Sequence, residues 1–184
     1  MTLNQAKPFF DELILQELFN HGQSQKPRKT IMIVTDAWEP QTNGVVTTVR
    51  NVRKALMAEG YQVRLLTPKM FKRVPSLYHD IQLAIPVGVS NYLERVQPDS
   101  ILIATEGPLG WAARHYCTEN LIPFTTCYTT RWPEYFKTHF KFPPLSVGYS
   151  YMKSFHTGAY ATLVATQSLI DELKECGFDS HRLI

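Results

Sequence analysis

Residues 30–44 read TIMIVTDAWEPQTNG, and residues 45–60 continue as VVTTVRNVRKALMAEG. IMIV at 31–34 is an unbroken apolar run, the pattern of a strand covered on both faces. Val45, Val49, Val52 and Leu56 then fall on one face of a helix, and Gly60 is placed to end it. Strand, long loop and helix make one unit, and strands and helices go on alternating through the rest of the chain, without an internal sequence repeat.

Gln62–Leu66 reads as a second strand and Pro68 to Pro75 as a basic loop. Ile81–Ile85 reads as a third short strand, and Ser90–Val96 as a short helix stopped before Pro98. Ile101–Ala104 is a strand closed by TEGPLG. Leu109, Ala112, Ala113 and Tyr116 have helical spacing, and Ile122–Tyr128 is a strand rich in β-branched and aromatic residues. Pro143 and Pro144 open a helix running to about Ala159, and Ala161–Ala165 is the last strand. Ser168 with Asp171 has the form of a capping box before a terminal helix, with Gly177 at its end. This alternation predicts an α/β domain, a Rossmann-like doubly wound and mostly parallel sheet, over residues 30–184. Residues 1–29 precede it as a helical extension, with Phe10, Ile14 and Leu18 at four-residue spacing, and a polar linker.

The length of 184 residues suits one domain with a full core. An apolar fraction of 44% beside 19% charged residues reads as globular, and no apolar run reaches the ~18 residues of a membrane span. The net charge of +3 is too small to imply nucleic acid. Cys117, Cys127 and Cys176 are odd in number and widely spaced, which predicts reduced thiols and a cytoplasmic setting. The N-terminus lacks the basic and small-residue pattern of a signal peptide. Arg50, Arg53 and Lys54, with Lys69, Lys72 and Arg73, form either a solvated basic surface or one that meets anionic lipid at the inner membrane face.

In doubly wound sheets ligands bind beyond the carboxyl ends of the strands. That rule selects the loops 35–44, 105–110 and 129–141. Asn43-Gly44 opens a helix whose free N–H groups and dipole favour an anion, or it is simply a turn. Glu106, beside Gly107 and Pro108, either accepts hydrogen bonds from sugar hydroxyls or complements a helix dipole. Arg131 pairs either with a phosphate or carboxylate of a ligand or with Glu134. Trp132 and Tyr135 stack on a sugar face or pack in the interior. No HExxH, no close His/Cys cluster, no nucleophile elbow and no Asp-x-Asp pair is present, so no metal or cofactor is expected. The six histidines are scattered and read as structural or exposed; His139 alone lies near a selected loop.

Four stretches, IVTDAWEPQTNGVVTTV, IATEGPLGWAARHYC, PFTTCYTTRWPEY and VATQSLIDELKECGF, resemble in order the acceptor-side domain of glycosyltransferase family 4, a GT-B group. They cover Thr30 to Phe178. The nearest resemblance is to bacterial and plastid enzymes that glycosylate lipids. It implies retaining transfer from a nucleotide-diphosphate sugar to a lipid or glycan acceptor, the sugar nucleotide being a substrate and not a cofactor. It also implies that Asn43 and Gly44 face the donor diphosphate, and that Glu106, Gly107 and Pro108 line the acceptor side. The family pattern has a histidine where this chain has Thr129. Family chains continue into a second Rossmann-like domain that grips the nucleotide, whereas this sequence stops at Ile184. The expectation is therefore a need for a separate C-terminal donor-domain subunit, and an apolar patch where that half would dock. The alternative is a non-catalytic module that binds a glycan, a lipid head group or a protein. A Rossmann domain of another nucleotide-binding class ranks last, since GxGxxG is absent.

Overall fold

The computed structural model describes residues 29–75, 82–139 and 144–184, with Phe136 and His139 described by backbone alone. The elements are β1 (Thr30–Val34), α1 (Gly44–Ala58), β2 (Gln62–Leu66), β3 (Arg73–Pro75), β4 (Gln82–Ala84), α2 (Val89–Val96) and β5 (Ser100–Ile103). There follow α3 (Pro108–Glu119), β6 (Phe124–Tyr128), α4 (Trp132–His139), α5 (Leu145–His156), β7 (Ala161–Val164) and α6 (Gln167–Glu175). Single 3₁₀ turns occupy Pro68–Met70 and Ser180–Arg182.

The central sheet has the order β2-β1-β5-β6-β7, and every pair in it is parallel. Alternation divides the core. Met32 and Val34 of β1, with Ile101 and Ile103 of β5, pack on one face beneath Leu93 of α2 and Leu109 and Ala113 of α3. Ile33 and Leu102 point the other way, against Val49, Val45 and Leu56 of α1. The apolar runs IMIV and ILI are thus unbroken because both faces are covered. β1 lies between β2 and β5, so the chain leaves it in one direction through α1 and its far neighbour continues the other way through α3. With right-handed crossovers the two helices land on opposite faces, which opens a crevice beyond the ends of β1 and β5.

Several boundaries differ from the sequence reading. The third strand does not join the main sheet: Gln82–Ala84 pairs antiparallel with Arg73–Pro75 in a separate two-stranded hairpin. The basic stretch 68–75 therefore holds a 3₁₀ turn and β3, because proline and short β-branched runs suit an isolated ribbon edge. Part of the third selected loop, 132–139, is helical, with Arg131 O accepting from Tyr135 N. Helix α5 begins at Leu145, with Pro144 as its N-cap, and ends at His156; Pro143 lies outside the described residues. The cap of α6 is Thr166, whose hydroxyl accepts from Leu169 N at 3.3 Å; Asp171 accepts from Gln167 and Lys174 instead. The proposed 7–19 helix, and Ile81 of the third strand, lie outside the described residues. Among the described residues no helix is long and apolar enough to cross a membrane.

Candidate acceptor-side site

The crevice is built around a residue that the sequence reading passed over. Asp36 stands two residues beyond the end of β1, and its carboxylate reaches the N-terminus of α3. Leu109 N donates to Oδ1 at 2.8 Å and Gly110 N to Oδ2 at 3.2 Å. Thr105 Oγ donates to Oδ2 at 2.8 Å and accepts from Asp36 N at 2.7 Å. The ends of β1 and β5 are joined by this carboxylate. Burial holds Asp36 above the usual carboxylate range; the hydrogen bonds from Leu109, Thr105 and Gly110 oppose that shift, and the nearby Glu106 charge adds to it. The glycines follow from the same contact. A Cβ on Gly107 would stand 2.4 Å from Asp36 Cγ, and one on Gly110 2.0 Å from Thr105 O. Pro108 sits at the first turn of α3, where a missing N–H costs nothing.

Asn43 caps α1, its Oδ1 accepting from Val46 N at 3.0 Å. Asn43 and Gly44 are exposed, no acidic side chain occupies the first turn, and nothing lies within 4 Å of a Cβ built on Gly44. The helix end is therefore capped by a neutral group and otherwise open.

Glu106 is 3% exposed. Its Oε2 accepts from Trp132 Nε1 at 3.2 Å, and its backbone carbonyl from Tyr151 Oη at 2.6 Å. Tyr151 Oη also accepts from Trp111 Nε1 at 2.6 Å. Glu106, Gly107 and Pro108 line a groove of about 440 Å³ together with Leu83, Trp132, Pro133, Val147, Gly148 and Tyr151. A carboxylate-bearing residue in the wall of an otherwise apolar groove suits a ligand with a hydroxyl-bearing head and an apolar body. A smaller cavity of about 140 Å³ lies among Lys153, Gly158, Thr162, Asp179 and Arg182, by the start of β7 and not at the carboxyl edge.

Arg131 and Glu134 are not partners. Arg131 pairs with Glu172 of α6, while Glu134 accepts from Tyr149 Oη. Tyr149 Oη also lies 3.0 Å from Glu172 Oε1, so α4, α5 and α6 are tied together at the surface. Trp132 and Tyr135 contact each other edge to face at 5.7 Å. Thr129 lies at the end of β6 with its hydroxyl 3.4 Å from Ala104 O. Burial pushes the thiols of Cys117 and Cys127 up to about 12, so neither is a nucleophilic thiolate near neutrality. Among the described residues no group of three metal-ligating side chains occurs.

The structure thus brings Glu106, Gly107, Pro108 and Trp132 to one groove. It puts Asn43 and Gly44 on the same sheet edge at a separate helix end, and Arg131 and Glu134 in a structural network beside α6. Sequence reasoning missed Asp36, though it sits in the first selected loop beside the strand end. It also missed His156, which carries no local signal.

The family model for Glycosyltransferase Family 4 matches residues 42–184. A GDP-mannose-dependent alpha-mannosyltransferase of Corynebacterium glutamicum is 25% identical over 168 residues, covering 81% of this chain and 41% of that protein. The chain spans about two fifths of the length of that curated relative.

Proposed function

The chain belongs to glycosyltransferase family 4, and we propose that it forms the acceptor-binding half of a retaining transferase that moves a hexose from a nucleotide-diphosphate sugar to an amphiphilic acceptor, a lipid or lipid-linked glycan. The observation that carries this reading is the groove, largely apolar along its walls, with the buried Glu106 among its lining residues. A free sugar would find too few polar partners there, whereas a lipid or aryl body would be desolvated and its hydroxyl held by an acceptor. The open, neutrally capped end of α1 at Asn43-Gly44 suits the donor diphosphate. The relative named for GDP-mannose supports a nucleotide-sugar donor.

Val74, Leu83, Ile85 and Val87 are exposed on and beside the β3–β4 hairpin, with Lys69, Lys72 and Arg73 next to them. Leu83 also belongs to the groove wall. An edge that is both basic and apolar supports a peripheral position on an anionic cytoplasmic leaflet, from which the acceptor would enter. The donor sugar nucleotide would be gripped by a second half, in the same longer protein or on a partner subunit.

The test is transfer of labelled sugar from nucleotide-diphosphate sugars, GDP-mannose first, by the protein together with a donor-binding half. Label recovered in the lipid phase supports the proposal. Label confined to water-soluble products overturns the amphiphilic acceptor. No transfer from any donor, with alkyl glycoside still bound in the groove, favours the second reading of a non-catalytic glycolipid-binding module. That reading is motivated by Thr129, a neutral hydroxyl directed at Ala104 O where an imidazole was expected.

A further inference from the structure

Glu106 lines the groove, and a second buried side chain faces its carboxylate. His156, on α5 and 4% exposed, places Nε2 at 3.5 Å from Glu106 Oε1. Neither atom makes a hydrogen bond among the described residues, so each faces the other across a buried gap. The other ring nitrogen, Nδ1, lies 2.8 Å from Thr126 Oγ, which lies 2.9 Å from Thr162 Oγ. This row runs across four neighbouring elements, from the end of β5 through α5 to β6 and β7.

The row assigns the proton. If Nε2 were bare, its lone pair would face a carboxylate oxygen at 3.5 Å with both side chains buried. With the proton on Nε2, the N–H faces Glu106 Oε1 as a charge-dipole contact, and Thr162 can donate to Thr126 and Thr126 to Nδ1. A doubly protonated ring keeps the same donor toward Glu106. In either state the Nε2–H faces the carboxylate.

We propose that His156 is a positioning residue for the groove: its Nε2–H fixes the Glu106 carboxylate, and through it the Trp132 indole, in the orientation that receives the acceptor's hydroxyl. Glu106 Oε2 holds Trp132 Nε1, and the Glu106 carbonyl holds Tyr151. Both aromatic rings line the groove. One buried residue therefore orders two walls, Trp132 through its carboxylate and Tyr151 through its backbone carbonyl, and His156 bears on the carboxylate. The role given to the hydroxyl rests on the acceptor reading above; the fixing of Glu106 and Trp132 does not.

Three measurements on the full chain test this. Long-range ¹H–¹⁵N spectra of the unaltered protein should place the His156 proton on Nε2; a neutral ring protonated on Nδ1 overturns the proposal without any variant. The Trp132 indole N–H resonance, identified by its absence in Trp132→Phe, should move in His156→Phe and in Glu106→Leu and stay near its place in His156→Gln, whose amide also reaches Glu106. Binding of n-octyl glucoside should weaken about tenfold in His156→Phe, the loss expected for one donor to a buried charge, and recover to within about threefold in His156→Gln. A folded His156→Phe protein with an unmoved indole and unchanged binding overturns the proposal. If octyl glucoside fails to bind the unaltered protein while the indole still answers to His156→Phe, the acceptor reading fails and the positioning of Glu106 stands.

Discussion

Two helices start at the same carboxyl edge of the sheet and use their N-termini in opposite ways. The dipole of α3 meets Asp36, a carboxylate delivered from the end of β1, which takes two backbone N–H groups and the Thr105 hydroxyl. The dipole of α1 meets only the Asn43 amide, with an open space at Gly44 and no acid in the first turn. A helix end attracts negative charge wherever its N–H groups are unmatched. At α3 the chain supplies that charge itself, and the result is a closed joint between β1 and β5. At α1 no acidic side chain of the first turn answers it, which is the opening that the proposed donor diphosphate would use. The difference teaches which helix ends of a doubly wound sheet are fold and which are site: those that receive an internal anion are fold.

The contrast breaks most directly at Gly110. A Cβ there meets backbone, Thr105 O at 2.0 Å, so Gly110→Ala should cost about 3 kcal/mol or more in urea unfolding; a loss below about 1 kcal/mol would mean that the joint is not tight. Asp36→Ala comes next. It leaves Leu109 N, Gly110 N and the Thr105 hydroxyl without their acceptor and should cost about 2 kcal/mol, offset in part by relief of a buried charge.

The same joint has a pH signature of known sign. Burial raises Asp36 above its ordinary 3.8 in the folded state, so the native protein binds this proton more tightly than the unfolded chain. The contribution of Asp36 to stability is then fullest below 3.8 and is lost as pH rises through the raised folded value. In Asp36→Asn that loss should vanish, so the stability of the parent relative to the variant should fall with rising pH over this window. A relative stability that rises instead would show that the hydrogen bonds outweigh burial.

Asn43→Asp sharpens the comparison by making α1 resemble α3. It should stabilise the helix by about 0.5 kcal/mol in thermal unfolding and weaken pyrophosphate binding several-fold, two effects of opposite benefit. Equal or tighter pyrophosphate binding would remove the α1 end from the site. The smallest effect is expected at Arg131. Its bridge to Glu172 is half exposed, so Arg131→Ala should change stability by less than about 1 kcal/mol. A drop in nucleotide-sugar binding without such a change would return Arg131 to the site.

The five strands of the main sheet, its main helices and the first two selected loops are legible in the sequence. IMIV at 31–34 and ILI at 101–103 announce buried parallel strands, and Asn43 announces its cap, because each signal is complete within a few residues. Thr166 was read as Ser168, an error of two positions in a run of hydroxyls that pattern alone does not separate. The helix at Trp132–His139 was hidden behind Arg131 and the aromatic residues that suggested a binding loop. The sequence reads 68–75 as a loop and 81–85 as a third strand, and the pairing of the two in a separate hairpin is not legible, because a short strand does not say which neighbour it will pair with.

What the sequence by itself determined was the alternation of strand and helix, the family resemblance and the edge of the sheet where chemistry would be sought. These follow from backbone periodicity and local capping, which act over one or two turns. Only the tertiary structure decided that Asp36 belongs to α3, that Arg131 takes Glu172 and not Glu134, and that His156 stands behind Glu106. The partner of a charged side chain, above all a buried one, is fixed by which elements become neighbours. Placing β5 beside β1, and α5 and α6 against the ends of β6 and β7, is a property of the whole packed sheet.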